Sequence, residues 1–426
     1  MRNDVKKIVL FGAGKIGIDI FKKIQYRYGE LNVEYFADND ILKQGRTFLG
    51  KKVLSANEAI NTGLDIYVTT DGKNYTEIKT QLCSLGYVNV HKYQELFGEE
   101  TGKRYEIGLP LRDVVPLKAP AWLFIDVSGR CNYRCVFCPH NNSKYMWDER
   151  HKQMSFEIFQ KIVNDLREFE EPIGVIDLSF ITEPLLHPDL PEMLKILNKN
   201  SVCKKTNITT NGCLLTPELN DKLIDSGLNH MLISVEALNK DQFARICGVA
   251  VDFEKFVFNI ADLYNKAKGK MVLEIRIFDD TFEEENDYIL FEKTFGSISD
   301  YHHVRHSLSN QWPGYQYEFG NIKNTEEQKF SGICTLPLIF MVIFSNGDVG
   351  ICPRDWCHAT KYGHVMVNSI KDLWQSEALK KIRIEHLTRK RNEIIFCKDC
   401  ARKSVDDIHD DIDLIKNRLT ERCNEK

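Results

Sequence analysis

With 426 residues, 43% hydrophobic and 28% charged, the chain has the composition of ordinary folded protein and room for two to four domains. Its 57 basic and 61 acidic side chains leave a net charge of −4, so no basic field points to nucleic acid or to an anionic membrane. The longest apolar stretch, Leu336 to Phe344, contains Pro337 and falls far short of the roughly 20 residues a membrane span needs.

The opening Met1-Arg-Asn-Asp-Val-Lys-Lys runs directly into an apolar strand, which is not a signal-peptide pattern. Thirteen cysteines, an odd number with CX2C groups, argue for metal or cluster ligation in a reducing compartment rather than for disulfides. A cytoplasmic location is expected. Residues 1–104 alternate strand and helix. Lys7–Phe11 reads as a buried strand, and Gly12-Ala-Gly14-Lys-Ile-Gly17 then opens a helix. The next strand, Val33–Ala37, ends at Asp38, 21 residues past Gly17. A strand over Leu64–Thr69, a helix over Tyr75–Leu85 and a strand over Val88–Tyr93 follow. This context makes Gly12, Gly14, Gly17 and Asp38 candidates for holding a nucleotide at a helix N-terminus. About 100 residues hold only one mononucleotide-binding half. The stretch Phe36-Ala-Asp-Asn-Asp, with Lys43-Gln-Gly-Arg and Gly50-Lys-Lys-Val-Leu-Ser, resembles Rossmann-type modules attached to sugar- and polysaccharide-processing enzymes. Nucleotide or nucleotide-sugar binding, NAD redox chemistry and a docking role with an empty loop all stay open.

Residues 105–120, with Gly108, Pro110, Pro116 and Pro120, read as a linker. The apolar strand Trp122–Val127 then leads into Cys131-Asn-Tyr-Arg-Cys135-Val-Phe-Cys138. Structural zinc and ordinary cubane clusters each take four protein ligands. Three clustered thiolates with no fourth ligand nearby leave one metal position open for a small molecule, the bland alternative being a zinc knuckle or chance thiols. A helix starting near Ser155 follows, then strands at Val175–Phe180, Asn207–Thr210, Met231–Val235, Val272–Phe278 and His302–Leu308. Thr216-Pro217 starts one helix and Gly227 ends it. Six βα units predict a partial parallel barrel with reactive groups at the strands' C-terminal ends.

The CX3CX2C spacing, with Phe137 before the last cysteine, resembles the signature of radical S-adenosylmethionine (SAM) enzymes. Ile181-Thr182-Glu183-Pro184 is similar to that family's GGEP element, with Ile and Thr for the glycines. Thr209-Thr210-Asn211-Gly212 resembles its TNG step, and Ile233-Ser234-Val-Glu236 with Ile246-Cys247-Gly248 its later SAM-contacting stretch. The match runs over 119–315. It implies that Cys131, Cys135 and Cys138 hold a [4Fe–4S] cluster whose open iron binds SAM. It also implies that Glu183 holds the SAM ammonium, with Phe137, Thr210, Asn211 and Ser234 around the cofactor. Taken singly, each piece also has an ordinary reading, as surface acid, turn or strand residue.

A second group is Cys334, Cys352, Cys397 and Cys400. The first two bracket apolar runs joined by Ser345-Asn346-Gly347-Asp348, a hairpin signal that folds their ends together. Gly363-His-Val through Ser369-Ile370, Trp374, Leu379 and Arg383 resembles SPASM domains in the short single-cluster twitch form. That resemblance implies an auxiliary [4Fe–4S] cluster with all four positions used. A zinc ribbon, or Cys357 as a substitute ligand, are the alternatives. Cys83, Cys203, Cys213 and Cys247 read as core thiols, and the acidic-then-basic tail as a solvated helix.

The expected architecture is therefore α/β throughout. A Rossmann-like parallel sheet covers 1–104, a partial (βα)6 barrel 119–315, and a small cluster-binding domain with a β-hairpin 330–405. A C-terminal helix follows over 406–426. The resemblance implies reductive cleavage of SAM to a 5′-deoxyadenosyl radical that abstracts hydrogen from a substrate C–H. An auxiliary cluster without an open position favours net oxidation. Glu274, Arg276 and His306 are the candidate catalytic residues; Glu274 and Arg276 share a strand face, and His302, His303 and Arg305 flank His306. The leading expectation is an oxidoreductase acting on a sugar-like or nucleotide-linked small molecule, reduced by a flavodoxin or ferredoxin. A peptide maturase ranks second and a non-catalytic metal scaffold third. No nucleic-acid or membrane partner is expected, and oligomeric state has no signature.

Overall fold

The computed structural model describes residues 7–14, 16–18, 20–21, 24, 33–70, 72–93, 96, 115–141, 152–284, 286–305, 312–313, 315–319, 322–323, 333–394, 396–398, 400, 417 and 419–423. They fall into two compact units, which divide between residues 106 and 107, near the start of the linker.

In the first unit β1 (Ile8–Phe11), β2 (Val33–Ala37), β3 (Thr47–Phe48), β4 (Lys51–Leu54), β5 (Asp65–Val68) and β6 (Val90–Lys92) form one sheet, ordered β3-β4-β2-β1-β5-β6. Every pairing is parallel except the short β3–β4 pair. Strand addition reverses direction between β1 and β5, the kind of switch point at which doubly wound sheets bind ligands. Both faces are apolar. Leu10, Val33 and Phe36 pack with Phe21 and Ile24 on one side, and Val9, Phe11 and Ile66 with Leu82 on the other. Helix α1 (Ala56–Asn61) starts with a Ser55–Glu58 capping box. Helix α2 (Gly72–Ser84) turns Leu82 inward, so Cys83 is exposed and is not the core thiol expected.

In the second unit β7 (Trp122–Ile125), β8 (Ile173–Asp177), β9 (Cys203–Thr210), β10 (His230–Ser234), β11 (Val272–Phe278) and β12 (Tyr301–Arg305) add in chain order, all parallel. Four of the helices between them begin at side-chain caps. Ser155 caps α3 (Phe156–Leu166), Thr216 caps α5 (Pro217–Asp225), Asn239 caps α6 (Lys240–Cys247) and Asp252 caps α7 (Phe253–Ala267), while α4 (Leu190–Asn200) and α8 (Asp287–Phe295) complete the layer. A small antiparallel pair, β13 (Glu318–Phe319) and β14 (Ile322–Lys323), follows.

The barrel does not close, because β15 (Phe340–Ile343) takes the free edge of β7, with Phe340 opposite Trp122. Strands β16 (Asp348–Gly350) and β17 (Gly363–His364) extend this sheet antiparallel to nine strands. The predicted hairpin is present, with Gly347 at φ 90° and the Asn346 side chain accepting from the Asp348 amide. It continues the barrel sheet and lies in the same compact unit. Helix α9 (Ile370–Trp374) docks on α3, where Asp165 accepts the Ile370 amide at 3.2 Å. Trp374 is fully buried, donates to the Leu117 carbonyl and lies under the Arg383 guanidinium of α10 (Glu377–Leu387), 4.0 Å from its ring centre. The tail is less solvated than expected: Leu419 and Cys423 are buried, while the acidic run 406–413 lies outside the described residues. Among the described residues no helix is long and apolar enough to cross a membrane.

Candidate functional site

The C-terminal ends of β7, β8 and β9 bring three separate motifs together. After β7, the cysteine loop is pinned to the end of α6. The amides of Arg134 and Val136 donate to the carbonyls of Cys247 and Ile246 at 2.8 and 2.9 Å. The Arg134 guanidinium donates to the carbonyls of Cys131 and Tyr133, both at 2.8 Å. Gly248 ends α6 at φ 66°, and a Cβ there would lie 3.3 Å from Arg134, so this close approach suits glycine. After β8, Glu183 is 1% exposed, and its amide donates to the Arg130 carbonyl beside the first cysteine. Its carboxylate accepts from the Thr210 hydroxyl at 2.6 Å, the Asn211 amide at 2.7 Å and the Leu185 amide at 3.0 Å. The Asn211 side chain then reaches Asn132 at 2.7 Å and Cys131 Sγ at 3.9 Å. Thr182, in place of a glycine, donates to the Asp126 carboxylate at 2.6 Å, and Asp126 also fastens the amides of Ser128 and Gly129.

Burial sets the electrostatics here. It lifts Glu183 to a pKa of about 7 despite three hydrogen bonds that oppose the shift. Burial, with the Glu183 charge next, holds the Cys131 thiol well above its ordinary value. A hydrogen bond with Cys247 and burial do the same to Cys135, and burial with the Cys135 charge to Cys138. Three crowded thiols that resist ionisation are a poor resting arrangement without a cation. A positively charged iron–sulfur cluster would relieve both the desolvation and the mutual repulsion, so this donor set fits the group. Among the described residues no three His, Cys, Asp or Glu side chains converge on a single ion; in a cubane each thiolate binds a different iron.

At the end of β10, Ser234 donates to Glu236 at 2.5 Å and accepts from Arg276 Nη2 at 3.1 Å. Glu236 is buried, which raises its pKa, and its Oε2 has no hydrogen-bond partner among the described residues. Such a buried acceptor fits a ligand rich in donors, as SAM is. Phe137 is buried in the barrel core. Glu274 sits two residues below Arg276, where its carboxylate meets His230 at 2.9 Å and His303 at 3.6 Å. His302 turns to Glu292 (2.8 Å) and Ser299, a packing role. His306 lies outside the described residues.

The second cysteine group also assembles. Cys334, Cys352, Cys397 and Cys400 line one cavity, joined by Arg354, His386 and Arg391. Burial pushes Cys334 up to about 11, Cys397 to about 12 and Cys352 well above its ordinary value. Four thiols with cations beside them fit a fully ligated cluster. Cys357 does not line this cavity; its Sγ is 3.7 Å from Asp355. No motif signalled Asn132, Thr182 or His386. Thr182 was visible only as a departure from glycine.

In the first unit, Gly12 has φ 126° and a Cβ there would come within 2.1 Å of Thr69 Oγ1, while one on Gly17 would come within 2.0 Å of the Gly12 carbonyl. A Cβ on Gly14 would meet no atom of the described residues within 4 Å beyond its chain neighbours. The Asp38 carboxylate is already used, by the Ala13 amide at 2.8 Å, Lys43 at 3.1 Å and the Asp40 amide at 2.9 Å.

Comparison with known proteins agrees with this geometry. A radical SAM superfamily model matches residues 125–288, an iron–sulfur cluster-binding domain model (SPASM) matches 334–401, and a C2185-like N-terminal model matches 4–92. A Pyrococcus furiosus protein named tungsten-containing aldehyde ferredoxin oxidoreductase cofactor-modifying protein is 31% identical over 117 residues, 28% of this chain and 31% of its own. A probable GTP 3′,8-cyclase of Methanococcus maripaludis is 35% identical over 123 residues, 29% of this chain and 38% of its own. The chain thus spans about a third of the length of these curated relatives. The crystal structure of BtrN with AdoMet and 2-DOIA aligns at a TM-score of 0.46 and 20% identity, covering 67% of this chain and 94% of that one.

Proposed function

We propose that this chain, a radical SAM enzyme with a SPASM auxiliary-cluster domain, carries out a net two-electron oxidation of a hydroxyl-rich small molecule of the sugar, aminosugar or nucleotide-linked class. The inner face of the barrel carries this reading. Leu123, Ile176, Leu178, Ile233 and Ile275 pack into the core with the helices. Strand alternation then puts Asp126, Asp177, Ser179, Ser234, Glu236 and Arg276 on the opposite face, with Phe124 and Leu232 among them. Such a face calls for an occupant able to hydrogen-bond widely. The two curated relatives bear names of cofactor modification and GTP cyclisation, which agrees with a small-molecule substrate.

Held by Cys131, Cys135 and Cys138, a first cluster with SAM would supply a 5′-deoxyadenosyl radical for hydrogen abstraction, and a second cluster held by Cys334, Cys352, Cys397 and Cys400 would supply an acceptor for one electron. The chain's own residues place and protect. Glu183, fixed by Thr210, Asn211 and Leu185, receives the SAM ammonium. Ser234 and Glu236 offer acceptors to its ribose, and Arg276 a cation to its carboxylate. The proton that leaves the substrate has an acceptor on the same face in Glu274, with His230 and His303 beside it. A flavodoxin or ferredoxin delivers the priming electron. We assign the Gly12–Gly17 loop a nucleotide or nucleotide-sugar, supported by Gly12 and Gly17, where a Cβ would clash, with Asp38 acting through the loop it fastens.

The test is the double variant Cys397→Ala with Cys400→Ala. Cleavage of SAM to 5′-deoxyadenosine should persist in part, because it depends on the 131–138 site, while product falls far more. A variant folded by circular dichroism that makes product in step with 5′-deoxyadenosine would overturn the oxidative reading.

A further inference from the structure

The two cysteine sites differ in the charges around them. At the first, the buried carboxylate of Glu183 accepts from the Asn211 amide, the Asn211 side chain reaches Cys131 Sγ, and Arg134 donates to the Cys131 carbonyl. At the second, Arg354 and Arg391 line the four-cysteine cavity and Arg391 donates through Nη2 to the Cys400 carbonyl at 2.6 Å, while Asp355, whose amide donates to the Cys352 carbonyl at 3.1 Å, brings one carboxylate nearby. The Arg354 amide donates to Cys352 Sγ at 3.4 Å.

His386 completes this second set. It lies on α10, is 1% exposed, lines the four-cysteine cavity and holds Nε2 3.8 Å from Cys397 Sγ. Its Nδ1 is buried with no hydrogen-bond partner among the described residues. A neutral imidazole carries one N–H, on either of its two nitrogens. An orphaned buried N–H is rarer than an orphaned acceptor, so the hydrogen belongs on Nε2, directed at the sulfur. Hydrogen bonds to cluster sulfurs, together with net charge and burial, set the potential of an iron–sulfur centre.

We propose that His386 is a positioning residue for the auxiliary cluster. Its Nε2–H donates to the Cys397 thiolate and, with Arg354 and Arg391, raises the reduction potential of that cluster above that of the cluster at Cys131, Cys135 and Cys138. The electron then has a direction. The substrate radical gives one electron to the oxidised auxiliary cluster and one proton to a base, and the reduced cluster passes the electron to a one-electron carrier protein of the flavodoxin or ferredoxin class. The inference rests on the proposed function for the presence of both clusters.

The experiment is an EPR-monitored redox titration of the full-length protein, purified and reconstituted without oxygen. The signal that changes on adding SAM identifies the first cluster. In the unaltered protein the second signal should appear at the higher potential. His386→Leu should move it to lower potential, leaving the first midpoint and the iron per chain as they were, and His386→Gln should recover part of the shift through its amide N–H. Arg354→Met, at a half-exposed site, should lower the same midpoint without opening a buried cavity. A full-iron His386→Leu protein with an unchanged midpoint overturns the proposal. So does loss of about half the iron in both His386 variants, which would make the residue a requirement for holding the cluster. A shifted midpoint with an unchanged ratio of product to 5′-deoxyadenosine keeps the tuning role and removes the electron-acceptor reading instead.

Discussion

Glu183→Gln is the sharpest test of how the first site works, because three partners of the carboxylate are fixed among the described residues. One oxygen accepts from Thr210 and Leu185 and the other from Asn211. A glutamine keeps one acceptor, but its amide nitrogen must face a donor on the other side. The better orientation sacrifices the single Asn211 contact and leaves that buried N–H unpaired. Losing a hydrogen bond to a charged group costs about 1.5–3 kcal/mol. The Asn211 loss is common to the free and the SAM-bound protein. Binding weakens through the ammonium's own lost bond to a charged acceptor, of the same size, so SAM should bind about 12- to 150-fold more weakly, at 1.4 kcal/mol per tenfold. Iron content should stay the same. Equilibrium binding to the anaerobic, iron-loaded protein checks this, and an unaltered SAM affinity would refute the placement of Glu183 against the ammonium.

The same residue predicts a pH signature. Its pKa rises from 4.5 to about 7, so the folded apoprotein holds a proton that the unfolded chain releases. This group's contribution to stability is therefore greatest below pH 4.5, declines as pH rises towards 7 and levels off above it. The decline amounts to about 3 kcal/mol at 1.36 kcal/mol per pH unit. Binding of the SAM ammonium runs the other way, because it needs the ionised form: affinity should rise with pH up to about 7 and then level. Glutamine should flatten both profiles. A pH dependence that survives in the variant would assign the titration to another group.

Two further outcomes follow from the packing and the thiols. Purified without oxygen, the protein should carry about eight irons per chain, and Cys131→Ala with Cys135→Ala and Cys138→Ala should remove about half; about four irons with zinc making up the rest would exclude the auxiliary cluster. Gly12→Ala should destabilise the first unit by about 1–3 kcal/mol or more, since φ is 126° and the new Cβ meets Thr69; a melting temperature unchanged by the substitution would mean that the loop relaxes freely.

Much of the second unit was readable because local signals and global fold agree there. Ser155, Thr216 and Asp252 cap the helices they precede, and the three SAM-site motifs each sit at a strand's C-terminal end, where a parallel sheet collects them whatever the loops between. Pairing between distant segments left no such mark. Phe340 lies opposite Trp122 across more than two hundred residues, and nothing in either apolar run names its partner. Burial of single polar residues was equally hidden. His386 lies on a helix that also carries Lys380, Lys381, Arg383 and Glu385, and only the closure of Cys397 and Cys400 over that helix makes it part of a cavity. In the tail, Leu419 and Cys423 stand four apart on one helical face, a signal that the surrounding charges outweighed. Asp38 was placed correctly, at the end of β2, yet Lys43 and the Ala13 amide occupy it. Sequence spacing located the acid. Which donor reaches it depends on how the loop after β2 folds back, and that is decided by the packing of β4 beside β2.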